Sequence, residues 1–346
     1  MMEHFLLSDG RRAELYSLTD ESGCRAVIGN LGGVIHRLEV PDRAGRMTDV
    51  VLGFADPADY ERNPPYFGAL IGRVANRIAG AAFELDGRTY RLIANGNGNS
   101  LHGGDGFSHR LWRTVEYTGD ELELALTSPD GDAGYPGEVT VSARYRLRGG
   151  ALTLELTGRT TAPTLLAMTN HAYFNLNGEN DFTLDDQELR LFADCRQEVD
   201  AKLLPTGKLF ELAGTAYELR KYRSFAAIFA AAGKGLDDAF VDRAHPAGVI
   251  RKIAAARSRR TGITLEVSGS APAVQVYTAN FLDCPLPGKC GRPYPRRSAF
   301  CLESQMPNGA AHHPALPSIR LDPGQVYRQT IVYAFGVAAE SDRAGR

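Results

Sequence analysis

Two histidines sit in settings that could use an imidazole. His102 lies in Asn99-Ser100-Leu101-His102-Gly103-Gly104, where two glycines allow close approach to the ring. His171 lies in Met168-Thr169-Asn170-His171-Ala172-Tyr173-Phe174-Asn175. Imidazole titrates nearest neutrality and is the commonest acid or base. Both also have plain readings. His102 can be a turn residue bonded to a nearby carbonyl. The polar groups around His171, namely Asn170, Tyr173, Asn175 and Asn177, need partners, which can be one another or a polyhydroxy ligand. Glu303 closes the apolar run Ser298-Ala299-Phe300-Cys301-Leu302-Glu303. A carboxylate in apolar surroundings has a raised pKa and can act as a base near neutrality, whereas a plain strand-end Glu does nothing. Asn76-Arg77 follows Ile71-Gly72-Arg73-Val74-Ala75. An arginine there implies either an internal ion pair or a multi-donor fork for oxygen ligands. Asp237-Asp238, after Gly235-Leu236, reads as a turn or a ligand site, and local composition favours the turn.

The elements that must carry these residues are strands. Val139, Val141, Ala143, Tyr145 and Leu147 alternate with Thr140, Ser142, Arg144 and Arg146. After Gly149-Gly150, Leu152, Leu154 and Leu156 alternate with Thr153, Glu155 and Thr157. Period two with one apolar face predicts a hairpin. The same reasoning marks 121–127, 263–268 and 273–278 as strands. Residues 253–260 would score as helix by propensity, but their position between strand-like runs favours strand. The best helix is 224–232 with Ser224 as cap. Frequent turn signals, such as Asp86-Gly87, Pro129-Asp130-Gly131 and Pro323-Gly324, complete an all-β reading: a β-sandwich or barrel with few short helices. No repeat or linker divides the chain. The expectation is one domain over 1–346, with its core at about 10–338, a surface loop at 284–295 and a charged tail at 340–346.

Composition excludes several classes. The 346 residues carry 39 Lys+Arg against 41 Asp+Glu, a net charge of −2, so nothing favours nucleic acid or anionic lipid. The apolar runs 225–232 and 331–339 are too short to span a bilayer. The charged start, 1–12, lacks the apolar stretch of a signal peptide. Five scattered cysteines without a CxxC spacing read as reduced thiols in a cytoplasmic protein, with no metal site of that kind. No nucleotide loop, HExxH or GxSxG occurs.

Several segments, in order, resemble the aldose 1-epimerases, or galactose mutarotases. They are Phe67-Gly68-Ala69-Leu70-Ile71-Gly72-Arg73-Val74-Ala75-Asn76-Arg77-Ile78, Asn99 to Gly104, Asp130 to Gly137, Thr169 to Leu176, Gln275 to Phe281 and Cys301 to Gln305. The likeness runs roughly from Gly29 to Phe335. It implies a large antiparallel β-sandwich, the galactose mutarotase-like supersandwich, and interconversion of α and β anomers of free aldoses such as glucose or galactose, without cofactor or metal. By position, Glu303 resembles the general base, His171 the general acid and His102 the second active-site histidine. Asn76, Arg77, Asp237 and Gln275 match sugar-contacting positions, and Tyr173 shares the block of His171.

Those roles suit the chemistry. A base removes the C1 hydroxyl proton while an acid protonates the ring oxygen. The open aldehyde rotates about C1–C2 and recloses. An ionised Glu303 and a protonated His171, each titrating near neutral pH, would serve. Arg77 and His102 would steady developing charge. Many relatives carry His where this chain has Asp238, an extra carboxylate that could alter sugar preference or pH response. The segment around His312, His313 and Pro314 matches only in part. The expected partner is a small sugar, and the expected assembly a monomer or homodimer. A phosphorylated-sugar enzyme would need a cationic cluster, for which only Arg73 and Arg77 offer themselves. A non-catalytic sugar-binding module would not need the Glu303–His171 pair.

Overall fold

The computed structural model describes residues 2–338; the charged tail expected at 340–346 lies outside them. Three sheets, all paired antiparallel, organise the described chain. The first has five strands in sequence order: Met2–Leu6, Arg12–Thr19, Arg25–Gly29, Ile35–Pro41 and Met47–Asp49. The second has nine strands, in the spatial order Arg113–Tyr117, Glu121–Ser128, Val139–Arg148, Ala151–Thr160, Tyr327–Val337, Ile263–Gly269, Arg251–Ser258, Gln187–Leu191 and Arg223–Ser224. The third has six strands, in the order Tyr173–Phe174, Phe300–Gln305, Ala273–Tyr277, Asp237–Val241, Cys195–Val199 and Pro205–Glu211.

The expected hairpin forms with Tyr145 opposite Leu154 and Leu147 opposite Leu152. Gly149 and Gly150 make its two-residue turn with φ of 56° and 74°, the left-handed pair that matches the twist of the flanking strands. Alternation drives the packing. Val139, Val141, Ala143, Tyr145 and Leu147 are buried, and their neighbours on the other face are not. These side chains share one apolar cluster with Val274, Val276, Phe300 and Leu302 of the six-stranded sheet and Ile28, Ile35 and Leu38 of the five-stranded one. The result is the expected antiparallel sandwich. Among the described residues, helix is confined to one α-helix, Phe225–Ala232, and short 3-10 turns. Ser224 caps the helix by accepting the Ala227 N–H, and Gly233 ends it at φ 66°. Residues 251–258 form a strand, so tertiary pairing overrides helical propensity there.

One expectation changes. Asp237 and Asp238 lie in a strand rather than a turn, because Asp237 pairs with Tyr277 and Asp238 with Val276. The loop 284–295 lies at the surface as expected, and it is pinned there. Lys289, almost fully buried, donates to the His36 and Val51 carbonyls and to Asp49. His36, which lacks polar neighbours in sequence, meets the Tyr60 hydroxyl at 3.0 Å.

Candidate active site

The six-stranded sheet presents two chemically different faces. Glu303 is opposite Gln275, Cys301 is opposite both Tyr277 and Tyr173, and Asp237 is opposite Tyr277. Period-two geometry therefore puts Asp237, Gln275, Tyr277, Cys301 and Glu303 on one face. Phe174, Val274, Val276, Phe300 and Leu302 fall on the other, in the core.

Loops close the cleft from the opposite side. Leu101 pairs with Arg77, which brings the two halves of that wall together. The His102 N–H donates to the Asn76 carbonyl at 3.1 Å, and the Asn76 N–H donates back to His102 Nδ1 at 3.2 Å. His102 thus accepts at Nδ1, and when neutral carries its hydrogen on Nε2. Asn76 and His102 both adopt left-handed φ, 62° and 53°. Gly103 follows because a Cβ there would sit 2.1 Å from the Gly72 carbonyl oxygen.

A single cleft of about 220 Å³ is lined by all eight side chains singled out from the sequence: Asn76, Arg77, His102, His171, Tyr173, Asp237, Gln275 and Glu303. Sequence reasoning did not single out Tyr66, Tyr277 or Phe281, which also line it. Tyr277 could have been found, since it lies two residues from Gln275 on an alternating strand. Tyr66 comes from a Pro-flanked loop at φ 61°, and no periodic signal marks it.

His171 is held on every side. Its ring stacks between Tyr173 (5.0 Å, 23°) and Tyr66 (6.1 Å, 26°), with His102 edge-on at 5.3 Å. Nε2 lies 3.7 Å from Glu303 Oε1, and Nδ1 lies 3.5 Å from the Cys301 sulfur. Tyr173 donates its hydroxyl to the Pro65 carbonyl at 2.9 Å, so its ring rather than its hydroxyl is presented to the cleft. The asparagines around His171 serve the scaffold. Asn170 binds the Gly68 carbonyl, Asn175 binds the Asp181 and Ser298 carbonyls, and Asn177 binds Asp186.

Burial works against both charges that ring opening asks for, an ionised Glu303 and a protonated His171. Burial pushes the Glu303 carboxyl well up, Asp237 adds to this, and Arg77 partly offsets it. Burial pulls His171 down to about 4. His102 is held well below its ordinary range by burial, then by His171 and Arg77. A dry pocket disfavours either charge, so burial opposes both the Glu303 carboxylate and the His171 imidazolium. Glu303 Oε2 is buried and has no hydrogen-bond partner among the described residues.

Asp237 is also raised, chiefly by burial against the opposing pull of Arg77. Gln275 donates to it at 2.7 Å. Gln275 is oriented in turn by Asn308, which donates to its Oε1 at 2.9 Å. Gln305 donates to Asn308 Oδ1, and Gln197 accepts the Asn308 N–H at 2.7 Å. A chain of neutral amides thus fixes one wall of the cleft. Asp238 takes no part in that wall. It faces away, 1% exposed, and binds Arg196 at 2.7 Å. The extra carboxylate is neutralised behind the sheet, not added to the site.

The two arginines separate in the same way. Arg73 is 2% exposed and donates to Ser128, Pro129, Pro136 and Thr164. It staples the Asp130-to-Gly137 segment to the loop bearing Asn76 and cannot reach a ligand. Arg77 forms no ion pair among the described residues and meets only Asn76 Oδ1, at 2.8 Å from its N–H and 3.4 Å from Nη1. The internal-ion-pair reading therefore fails for Arg77. Away from the cleft, Asp194, Cys195 and Glu211 come together in the geometry of a metal site, but both carboxylates are bound by Arg243.

Residues 14–334 match the family described as aldose 1-epimerase. Galactose mutarotase from Homo sapiens is 41% identical over 340 residues, covering 96% of this chain and 97% of that protein. Aldose 1-epimerase from Escherichia coli K12 is 33% identical over 341 residues, covering 95% and 97%. Among solved structures, the GalM/aldose epimerase homologue from C. elegans superposes with a TM-score of 0.88 at 28% identity, covering 94% of this chain and all of that one. No helix among the described residues is long and apolar enough to cross a membrane.

Proposed function

The chain belongs to the aldose 1-epimerase family and interconverts the anomers of aldoses; on that premise we propose that Glu303 and His171 move the protons and that the substrate is a free hexose such as galactose or glucose. One observation carries the assignment. Glu303 and His171 face each other at 3.7 Å inside the cleft, and the buried Glu303 Oε2 lacks a donor that a sugar hydroxyl would supply.

A neutral Glu303–His171 pair and its ion pair hold the same number of protons and differ by one transfer. The sugar's C1 hydroxyl donates to Oε2 and stabilises the carboxylate, while the proton moves to His171. Glu303 then takes the C1 hydroxyl proton, and His171 delivers its proton to the ring oxygen as the C1–O5 bond breaks. After rotation about C1–C2 the steps reverse, and the other anomer leaves. Arg77 and the Nε2–H of His102 stabilise the oxygens as charge develops. Asp237 and Gln275 hold the remaining hydroxyls, and the stacked ring of Tyr173 keeps His171 in place.

The lining supports a neutral substrate. Arg77 is the one cationic side chain among the described residues that line the cleft, while Arg73 is committed elsewhere. A single guanidinium falls short of the cationic cluster a phosphorylated sugar would need. The cleft draws residues from Pro64 to Glu303 of one chain, which supports a single working unit. Free cysteines support a reducing, cytoplasmic setting. Polarimetry of freshly dissolved α-galactose and α-glucose, and of glucose 6-phosphate, tests the reading. The protein speeds the approach to equilibrium for the free sugars, and Glu303→Gln lowers kcat by at least about 10³-fold. Full activity in that variant would exclude Glu303 as the base.

A further inference from the structure

We propose that Cys301 is a positioning residue for the acid: its sulfur accepts the Nδ1–H of His171, so that proton exchange with the sugar runs through Nε2 alone. This rests on the assignment of His171 given above.

Cys301 is fully buried and lies two residues before Glu303, so both side chains project from one face of the same strand. They divide the imidazole between them, with sulfur 3.5 Å from Nδ1 and carboxyl 3.7 Å from Nε2. A ring placed this way has one nitrogen facing a proton-transfer partner and one facing a thiol. Nε2 is the nitrogen that faces the Glu303 carboxyl and exchanges protons with it, so the hydrogen the ring retains belongs on Nδ1, against the sulfur. Burial keeps the Cys301 thiol protonated, so the sulfur stays uncharged.

The choice of partner has a chemical effect. A carboxylate behind a histidine stabilises the imidazolium and weakens it as an acid. A neutral sulfur accepts only weakly. It fixes the tautomer while leaving the imidazolium ready to release its proton. During ring opening the Nε2 proton passes to O5 as the C1–O5 electron pair moves to that oxygen. Nδ1 keeps its hydrogen and goes on donating it to the sulfur throughout, and on reclosure Nε2 recovers the proton from the O5 hydroxyl. The other titratable and charged groups around the ring are Glu303, His102, Tyr66, Tyr173 and Tyr277, with Arg77 and Asp237 also lining the cleft.

The test combines ¹⁵N NMR of His171 with polarimetry on Cys301→Ala, Cys301→Ser and Cys301→Asp. The unsubstituted protein shows the Nδ1–H tautomer. Cys301→Ala mixes the tautomers and lowers kcat about tenfold with KM within about twofold. Cys301→Ser, whose hydroxyl also accepts, recovers most of that loss. Cys301→Asp raises the imidazole pKa by about one unit or more and moves the acid limb of the kcat profile toward neutrality. Cys301→Ala with an unchanged tautomer overturns the proposal, whether its kcat holds or falls, because a fall alone would report packing. The NMR signal does not depend on catalysis. Full activity in His171→Asn would remove the acid assignment while the tautomer still reported on the sulfur contact.

Discussion

Asp237 and Asp238 are adjacent carboxylates on one strand, yet they live in different chemistry. Asp237 faces the cleft, is bonded by a neutral amide and has a raised pKa. Asp238 faces the core and is bonded by a guanidinium. Arg77 and Arg73 repeat the contrast across the cleft: one meets a single side-chain oxygen, the other is saturated with scaffold oxygens. On the cleft side, polar groups are left under-partnered, which costs stability but leaves capacity for a ligand. Away from it, Asp238 is matched by Arg196 and Arg73 by scaffold oxygens, which anchors both charges.

Substitutions on the two sides should therefore fail in different ways. The largest effect is expected from the arginines. Arg77→Ala lowers kcat/KM about 10²-fold or more with little change in Tm, because it removes charge stabilisation at the reacting oxygens. Arg73→Ala instead lowers stability by about 3–5 kcal/mol, because buried carbonyls lose their donors. Polarimetry and thermal melts on both variants check the split, and a matching loss of stability in the two would erase it. Next come the aspartates. Asp237→Asn reduces kcat/KM by about tenfold, whereas Asp238→Asn leaves the kinetics alone and costs about 1–3 kcal/mol by uncoupling Arg196. A change in sugar preference in Asp238→Asn would return that residue to the site.

The smallest effect concerns stability against pH. Glu303 titrates above its ordinary 4.5 in the folded protein. The native state then binds more protons than the unfolded state. Its contribution is fully present below about 4.5 and is lost as pH rises toward the folded pKa. Glu303→Gln cannot ionise, so its Tm advantage over the unsubstituted protein should grow from pH 4 to pH 8. An advantage independent of pH would mean that the buried charge is not the cause.

The strands were readable because each sandwich face repeats every two residues, as in 139–147 and 152–156. The cleft residues were readable as a set through the ordered segments that resemble a family, since no single residue was decisive. Other features depend on contacts far apart in sequence. The partner of Asp238 is Arg196 on a neighbouring strand, and Gly235 before the aspartates mimics a turn. Lys289 reaches back to Asp49, giving no local sign that its loop is pinned. The proton balance of Glu303 and His171 is set by burial summed over the whole pocket, which no local window contains.

The amide chain from Gln305 through Asn308 and Gln275 to Asp237 bears on how such a cleft can acquire new tastes in sugars. Replacing Gln275 alone strands a donor of Asn308 and an acceptor of Asp237. That wall therefore resists change one mutation at a time and evolves in linked steps. Tyr66 and Phe281, which also line the cleft, make no hydrogen bond to those amides among the described residues. Divergence in substrate range should begin at those two positions and reach the amide wall last.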